Sequence, residues 1–81
     1  MKYVYPAIFR PEDDGGFCIF FPDIGRGATQ GDDMVDGMKM AEDFLCSVLY
    51  DIEQEKADIP KPSDVRNIQT LPEDIVTFII C

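Results

Sequence analysis

Carboxylates dominate the reactive side chains of this chain. Its 81 residues carry 16 Asp and Glu against 7 Lys and Arg, with no His, for a formal net charge of −9. The missing His excludes Ser-His-Asp triads and His-ligated zinc. Cys18, Cys46 and Cys81 are widely spaced, with no CxxC pair. Zinc and thioredoxin-like chemistry are therefore not expected, and three free thiols in a reducing compartment are. The bases, at Lys2, Arg10, Arg26, Lys39, Lys56, Lys61 and Arg66, are scattered and make no patch for a phosphate backbone. What the acids can do is meet a basic protein. Residues 32–58 hold nine acids and two bases, so −7 of the −9 sits there. Asp36, Glu42, Asp43, Asp51, Glu53 and Glu55 fit an acidic face that docks such a partner, or more plainly a solvated one.

Other candidate sites carry less. Gly25-Arg26-Gly27 could hold an anion, but it lacks the Gly-Lys-Ser/Thr run of phosphate loops, and a flexible connector is the simpler reading. Met34, Met38 and Met40 could form an adaptable binding surface, although Met at helical spacing usually belongs to a core. Cys46 reads as a small core residue.

The elements that position these residues follow from the apolar pattern. Residues 2–9 are aromatic and β-branched, a strand with Tyr3, Tyr5, Ala7 and Phe9 on one face and Val4, Pro6 and Ile8 on the other. Pro6 cannot donate a ladder hydrogen bond, so it calls for a sheet edge or a locally unpaired position. Residues 10–16 form a turn around Asp14-Gly15-Gly16. Residues 17–22 make a second strand, apolar on both faces. A helix can cover one face; the other is left for a protein partner. Residues 28–30 suit a short third strand. Asp33 then caps a helix, with Asp36 at the capping-box position. Met34, Met38, Ala41, Leu45, Val48 and Ile52 trace its buried stripe. Gly37 costs about 1 kcal/mol relative to Ala there, which argues for close packing against the sheet. Ile59-Pro60-Lys61-Pro62-Ser63 stops the helix, residues 64–74 read as a loop, and 75–80 as a closing strand that a right-handed crossover could set parallel to another.

The order of short motifs resembles the HicB-like antitoxin family along essentially the whole chain. The motifs are Tyr5-Pro6-Ala7, Asp14-Gly15-Gly16-Phe17, Phe21-Pro22-Asp23, Thr29-Gln30-Gly31-Asp32, Met40-Ala41-Glu42-Asp43 and Ile59-Pro60-Lys61-Pro62-Ser63. The resemblance implies a partial RNase H-like domain of β-β-β-α-β order. It implies the antitoxin of a type II toxin–antitoxin pair, which binds a small basic mRNA interferase, HicA, and masks its active site. Two departures stand out. The loop after Phe21-Pro22-Asp23 reads Gly25-Arg26-Gly27 where the family commonly has Pro-Gly-Cys. The 81 residues themselves are not expected to hold the DNA-binding module that many members carry C-terminal to this domain, whether because the sequence is a piece of a longer protein or because this is a compact member.

The expectations are therefore an α+β fold with a mostly antiparallel sheet and one long helix on one face, residues 1–81 forming a single domain. The function expected is non-enzymatic neutralisation of a HicA-like toxin. Asp32, Asp36, Glu42, Asp43, Asp23 and Arg26 are the partner-binding candidates. Tyr5, Phe17, Phe20 and Phe78 are the candidates for a sheet interface in a homodimer or larger oligomer. No catalytic, metal or cofactor residues are expected, and no direct contact with nucleic acid or membrane. No apolar run reaches the roughly 18 residues that span a bilayer, and the N-terminus lacks a signal-peptide core, so a cytoplasmic location is expected. The alternatives are a degenerate RNase H-like metal-dependent nuclease and an oligomerising scaffold. The nuclease needs carboxylates converging from several elements, and the first strand supplies none.

Overall fold

A computed structural model describes residues 2–81. Its elements are β1 (Val4–Pro11), β2 (Phe17–Phe20), β3 (Thr29–Gly31), α1 (Met34–Gln54), a 3-10 turn (Val65–Asn67) and β4 (Ile75–Ile80). The sheet order is β3-β2-β1-β4, and every neighbouring pair is antiparallel. The last strand thus lies antiparallel beside the first, instead of parallel to a neighbour. The turn at 64–74 carries it to the far side of β1, where it runs back along that strand. No helix among the described residues is long and apolar enough to cross a membrane.

The hairpin closes at Glu12, whose amide donates to the Gly16 carbonyl at 2.8 Å. The β1–β2 register aligns Ile8 with Phe20 and Arg10 with Cys18. The β1–β4 register aligns Tyr5 with Ile79, Ala7 with Thr77 and Phe9 with Ile75. Tyr3 and Cys81 exchange both backbone hydrogen bonds, at 2.8 and 2.9 Å. By antiparallel alternation, Tyr5, Ala7 and Phe9 bond to β4, while Pro6 and Ile8 face β2. β2 ends opposite Ile8, so the N–H that Pro6 lacks would have met no strand. Pro6 sits in a central strand at no cost to the ladder.

α1 covers the face formed by Tyr5, Ala7, Phe9, Ile19 and Ile79. Its buried line is Gly37, Ala41, Leu45, Val48, Leu49 and Ile52. Met34 and Met38 lie at the rim, 37% and 38% exposed, so the first turns of the expected stripe are displaced. Gly37 is the reason. A Cβ there would meet Phe9 Cε2 at 3.0 Å and Ile19 Cδ1 at 3.3 Å. A Cβ on Gly31 would meet the Gly37 backbone nitrogen at 2.6 Å. Two glycines thus let the helix start lie against β3.

Both helix ends are satisfied. Asp33 accepts from the Asp36 amide at 2.8 Å, and Asp36 reaches back to the Asp32 amide at 2.9 Å. At the other end Ala57 donates to Ile52 and Lys56 to Glu53, both at 3.1 Å. Lys56 has φ 58°, the left-handed residue of a Schellman stop. Cys46 and Cys81 form a disulfide, with Cα atoms 5.4 Å apart, and Cys18 alone is free. That corrects the expectation of three free thiols. The fourth turn of α1 lies over the end of β4, which brings together cysteines 35 residues apart.

Candidate functional site

The partner-binding candidates separate into two groups. Asp36, Glu42 and Asp43 lie in the first three turns of α1, and Asp32 lies just before its cap. Asp36 is occupied in capping, whereas Glu42 and Asp43 are exposed and make no ion pair among the described residues. Asp23 and Arg26 belong to the opposite end of the helix. A 21-residue helix is about 30 Å long, so no compact site contains both groups.

Asp23 and Arg26 instead hold the fold together. Asp23 accepts from the Ser63 amide at 2.9 Å and from the Ser63 hydroxyl, pinning the connector after the helix. Arg26 forks onto Glu55, at 2.8 and 3.0 Å. This hydrogen-bonded pairing holds the Glu55 carboxyl below its ordinary value. Gly25 and Gly27, at φ +68° and +96°, supply the left-handed backbone that turns Arg26 towards the helix end. The Gly25-Arg26-Gly27 loop is thus a clamp, in place of the flexible connector expected, and its guanidinium is already engaged.

The sheet-interface candidates divide by face. Tyr5 and Phe17 lie under the helix. Tyr5 is 1% exposed; its hydroxyl donates to the Pro60 carbonyl, and burial pushes its pKa up. Phe17 packs edge-on against Phe9, centroids 5.9 Å apart. Phe20 and Phe78 lie on the open face. Arg10 stacks over Phe20, 5.0 Å from its centroid, and forks onto Asp74 at 2.9 and 3.0 Å. The Asp74 carboxylate is only 1% exposed, and the hydrogen bonds from Arg10 hold its pKa below the ordinary value.

The open face is apolar where it nears β4. Ile8 is buried between its cross-strand neighbours Phe20 and Val76. Val4, Phe78 and Ile80 remain 44%, 50% and 57% exposed. Beside them, Met38, Lys39 and Glu42 of α1 and Phe78, Ile79 and Ile80 of β4 line a shallow groove. Of this strip, Phe78 and Glu42 were among the site candidates read from the sequence, and Met38 was weighed as a binding residue against a core role. The signal for Ile79 and Ile80 is the β-prone run of β4, which has no charge to interrupt it. No group of three or more acidic or cysteine side chains with metal-holding geometry occurs among the described residues.

Comparison with known proteins places the chain. Residues 4–71 match a family described as the HicB-like antitoxin of a bacterial toxin–antitoxin system. Antitoxin HicB 1 of Photorhabdus laumondii is 37% identical over 60 residues, covering 72% of this chain and 39% of that protein. Antitoxin HicB of Escherichia coli K12 is 30% identical over 63 residues, covering 78% of this chain and 46% of that protein. The chain thus spans less than half the length of these relatives. Among solved structures, a toxin–antitoxin complex from Streptococcus pneumoniae matches 99% of this chain and 69% of its own. Its TM-score is 0.84 at 20% identity, a likeness of fold.

Proposed function

The chain belongs to the HicB-like antitoxin family, and from that premise we propose that it neutralises a HicA-like mRNA interferase by binding it and covering its active site. The chain performs no chemistry of its own in this reading. The observation that carries it is the acidic flank of α1, where Glu42 and Asp43 stand exposed with no ion-pair partner among the described residues. A toxin that grips RNA must present positive charge, and such a surface is complementary to this flank. The charge raises the encounter rate, and buried contacts supply the affinity. Asp36 and Asp32 add acidity at the start of the helix, while Asp23 and Arg26 hold the loop at its opposite end and support the fold.

The 81 residues act as one toxin-facing domain that makes no direct contact with nucleic acid, and they pair as a homodimer or larger oligomer. The protein works in the cytoplasm, where messenger RNA is cut, and the thiol pool there governs whether the Cys46–Cys81 bond persists.

The test is association with a small basic HicA-like protein, sought first among the products of the genes adjacent to this one. Wild type should bind it and stop its cleavage of RNA. The pair Glu42→Lys and Asp43→Lys should associate at least about 10-fold more slowly at low salt, with a flatter salt dependence. Absence of binding by wild type, or binding that leaves RNA cleavage intact, overturns the proposal.

A further inference from the structure

We propose that the free edge of β4 is the homodimer interface, joining a second copy of this chain in an antiparallel register centred on Phe78. The inference refines the dimer named above and shares only Glu42 with the toxin-binding surface.

Tyr3 and Cys81 exchange backbone hydrogen bonds, and the β1–β4 register continues from them without a break. Tyr5, Ala7 and Phe9 therefore bond to Ile79, Thr77 and Ile75. The N–H and C=O groups of Val76, Phe78 and Ile80 point away from the sheet. β4 is the terminal strand in the order β3-β2-β1-β4. Nothing in its sequence, Ile75-Val76-Thr77-Phe78-Ile79-Ile80, blocks pairing: there is no Pro, no charge and no bulge. Soluble proteins rarely leave such an edge bare.

An antiparallel second copy satisfies all of these groups in one register. Phe78 lies opposite Phe78 of the other copy, and Val76 opposite Ile80 in both directions. A shift by one pairing step leaves groups unpaired. The register is its own mirror under a two-fold axis, as a closed dimer requires. It also joins the exposed Phe78 and Ile80 side chains of both copies into one apolar stripe across the open face.

The flanking charge favours a second copy over a basic partner. Lys39 is the only base between Met34 and Gln54. It lines the groove beside β4 together with Glu42. Lys39 sets this strip apart from the rest of the helix: a base beside the edge opposes a basic partner and suits a second copy of this acidic chain.

Two variants test the interface in the full chain, each with circular dichroism to verify folding. Phe78→Pro removes an N–H that points away from β1, so the intramolecular ladder is untouched. Wild type should sediment as a dimer and Phe78→Pro as a monomer, with at least about 100-fold weaker self-association. In a Cys18→Ser background, Phe78→Cys should cross-link to itself under mild oxidation. Its Cα would lie about 5.5 Å from its counterpart, within disulfide reach. Val76→Cys should not, because four residues of offset separate it from its own copy by about 13 Å. A monomeric wild type, a dimer that survives Phe78→Pro, or equal cross-linking at both positions overturns the proposal. Should Phe78→Pro abolish toxin binding by a monomeric wild type, the edge belongs to the toxin. Toxin binding retained by a monomeric Phe78→Pro protein supports the interface and leaves the antitoxin reading intact.

Discussion

β3 and β4 form the two sides of the same sheet, and the fold treats them in opposite ways. β3 is three residues long and runs straight into the helix cap. Gly31 lies against Gly37, and the Asp32 amide is taken by Asp36. β4 is six residues long, apolar, and bare along its outward side. Its two ends are nevertheless tied. Asp74 is gripped by Arg10 just before the strand, and Cys81 is bonded to Cys46 just after it. The contrast teaches that an edge can be cut short by turning it at once into a helix start, as at Gly31, or kept straight and available by anchoring only its ends.

The largest effect should come from releasing the anchored end. Cys46→Ser, or reduction, opens a loop of 35 residues and should cost about 4 kcal/mol of unfolding free energy in a urea titration. A loss below about 1 kcal/mol would mean that packing alone holds β4.

The closed edge should respond next. Gly31→Ala drives a methyl into the Gly37 backbone and should cost about 1–3 kcal/mol. Gly37→Ala meets side-chain atoms of Phe9 and Ile19 that can shift. It also gains about 1 kcal/mol of helix propensity, so its midpoint should stay within about 1 kcal/mol of wild type. Equal losses from the two would break the claim that backbone contact seals β3.

The smallest effect concerns Asp74. Its folded pKa lies below the ordinary 3.8. Its stabilising contribution is therefore present above that value and lost as the pH falls through the folded pKa. Thermal midpoints should drop below about pH 4. Asp74→Asn should be less stable at neutral pH and show a shallower acid limb. An unchanged acid limb would remove the Arg10 anchor from the comparison.

Local features were legible in the sequence. Asp33 as the cap, the α1 span, the hairpin at Gly15-Gly16 and the close approach at Gly37 each depend on residues a few positions apart. The family resemblance also held over residues 4–71. What stayed hidden depends on distant partners. The Arg10–Asp74, Asp23–Ser63 and Arg26–Glu55 contacts span 64, 40 and 29 residues, and each surface charge had many possible partners. The cysteine pairing was equally opaque, because spacing says nothing about which helix turn overlies which strand. For the candidate site, the acids of α1 were visible by composition. The division of Asp23 and Arg26 from Glu42 and Asp43 required the helix to be laid out in space.

The pairing of β1 with β4 also sets a schedule. During synthesis the hairpin of β1 and β2 can close early, since its strands are neighbours in the chain. The other side of β1 must wait until Ile75–Ile80 has left the ribosome. Closing so long a loop is entropically unfavourable and slow. Until then the nascent chain exposes β1 itself, with Tyr5, Ala7 and Phe9 unpaired. The protein is most exposed to wrong pairing and proteolysis in the moments before its final strand arrives.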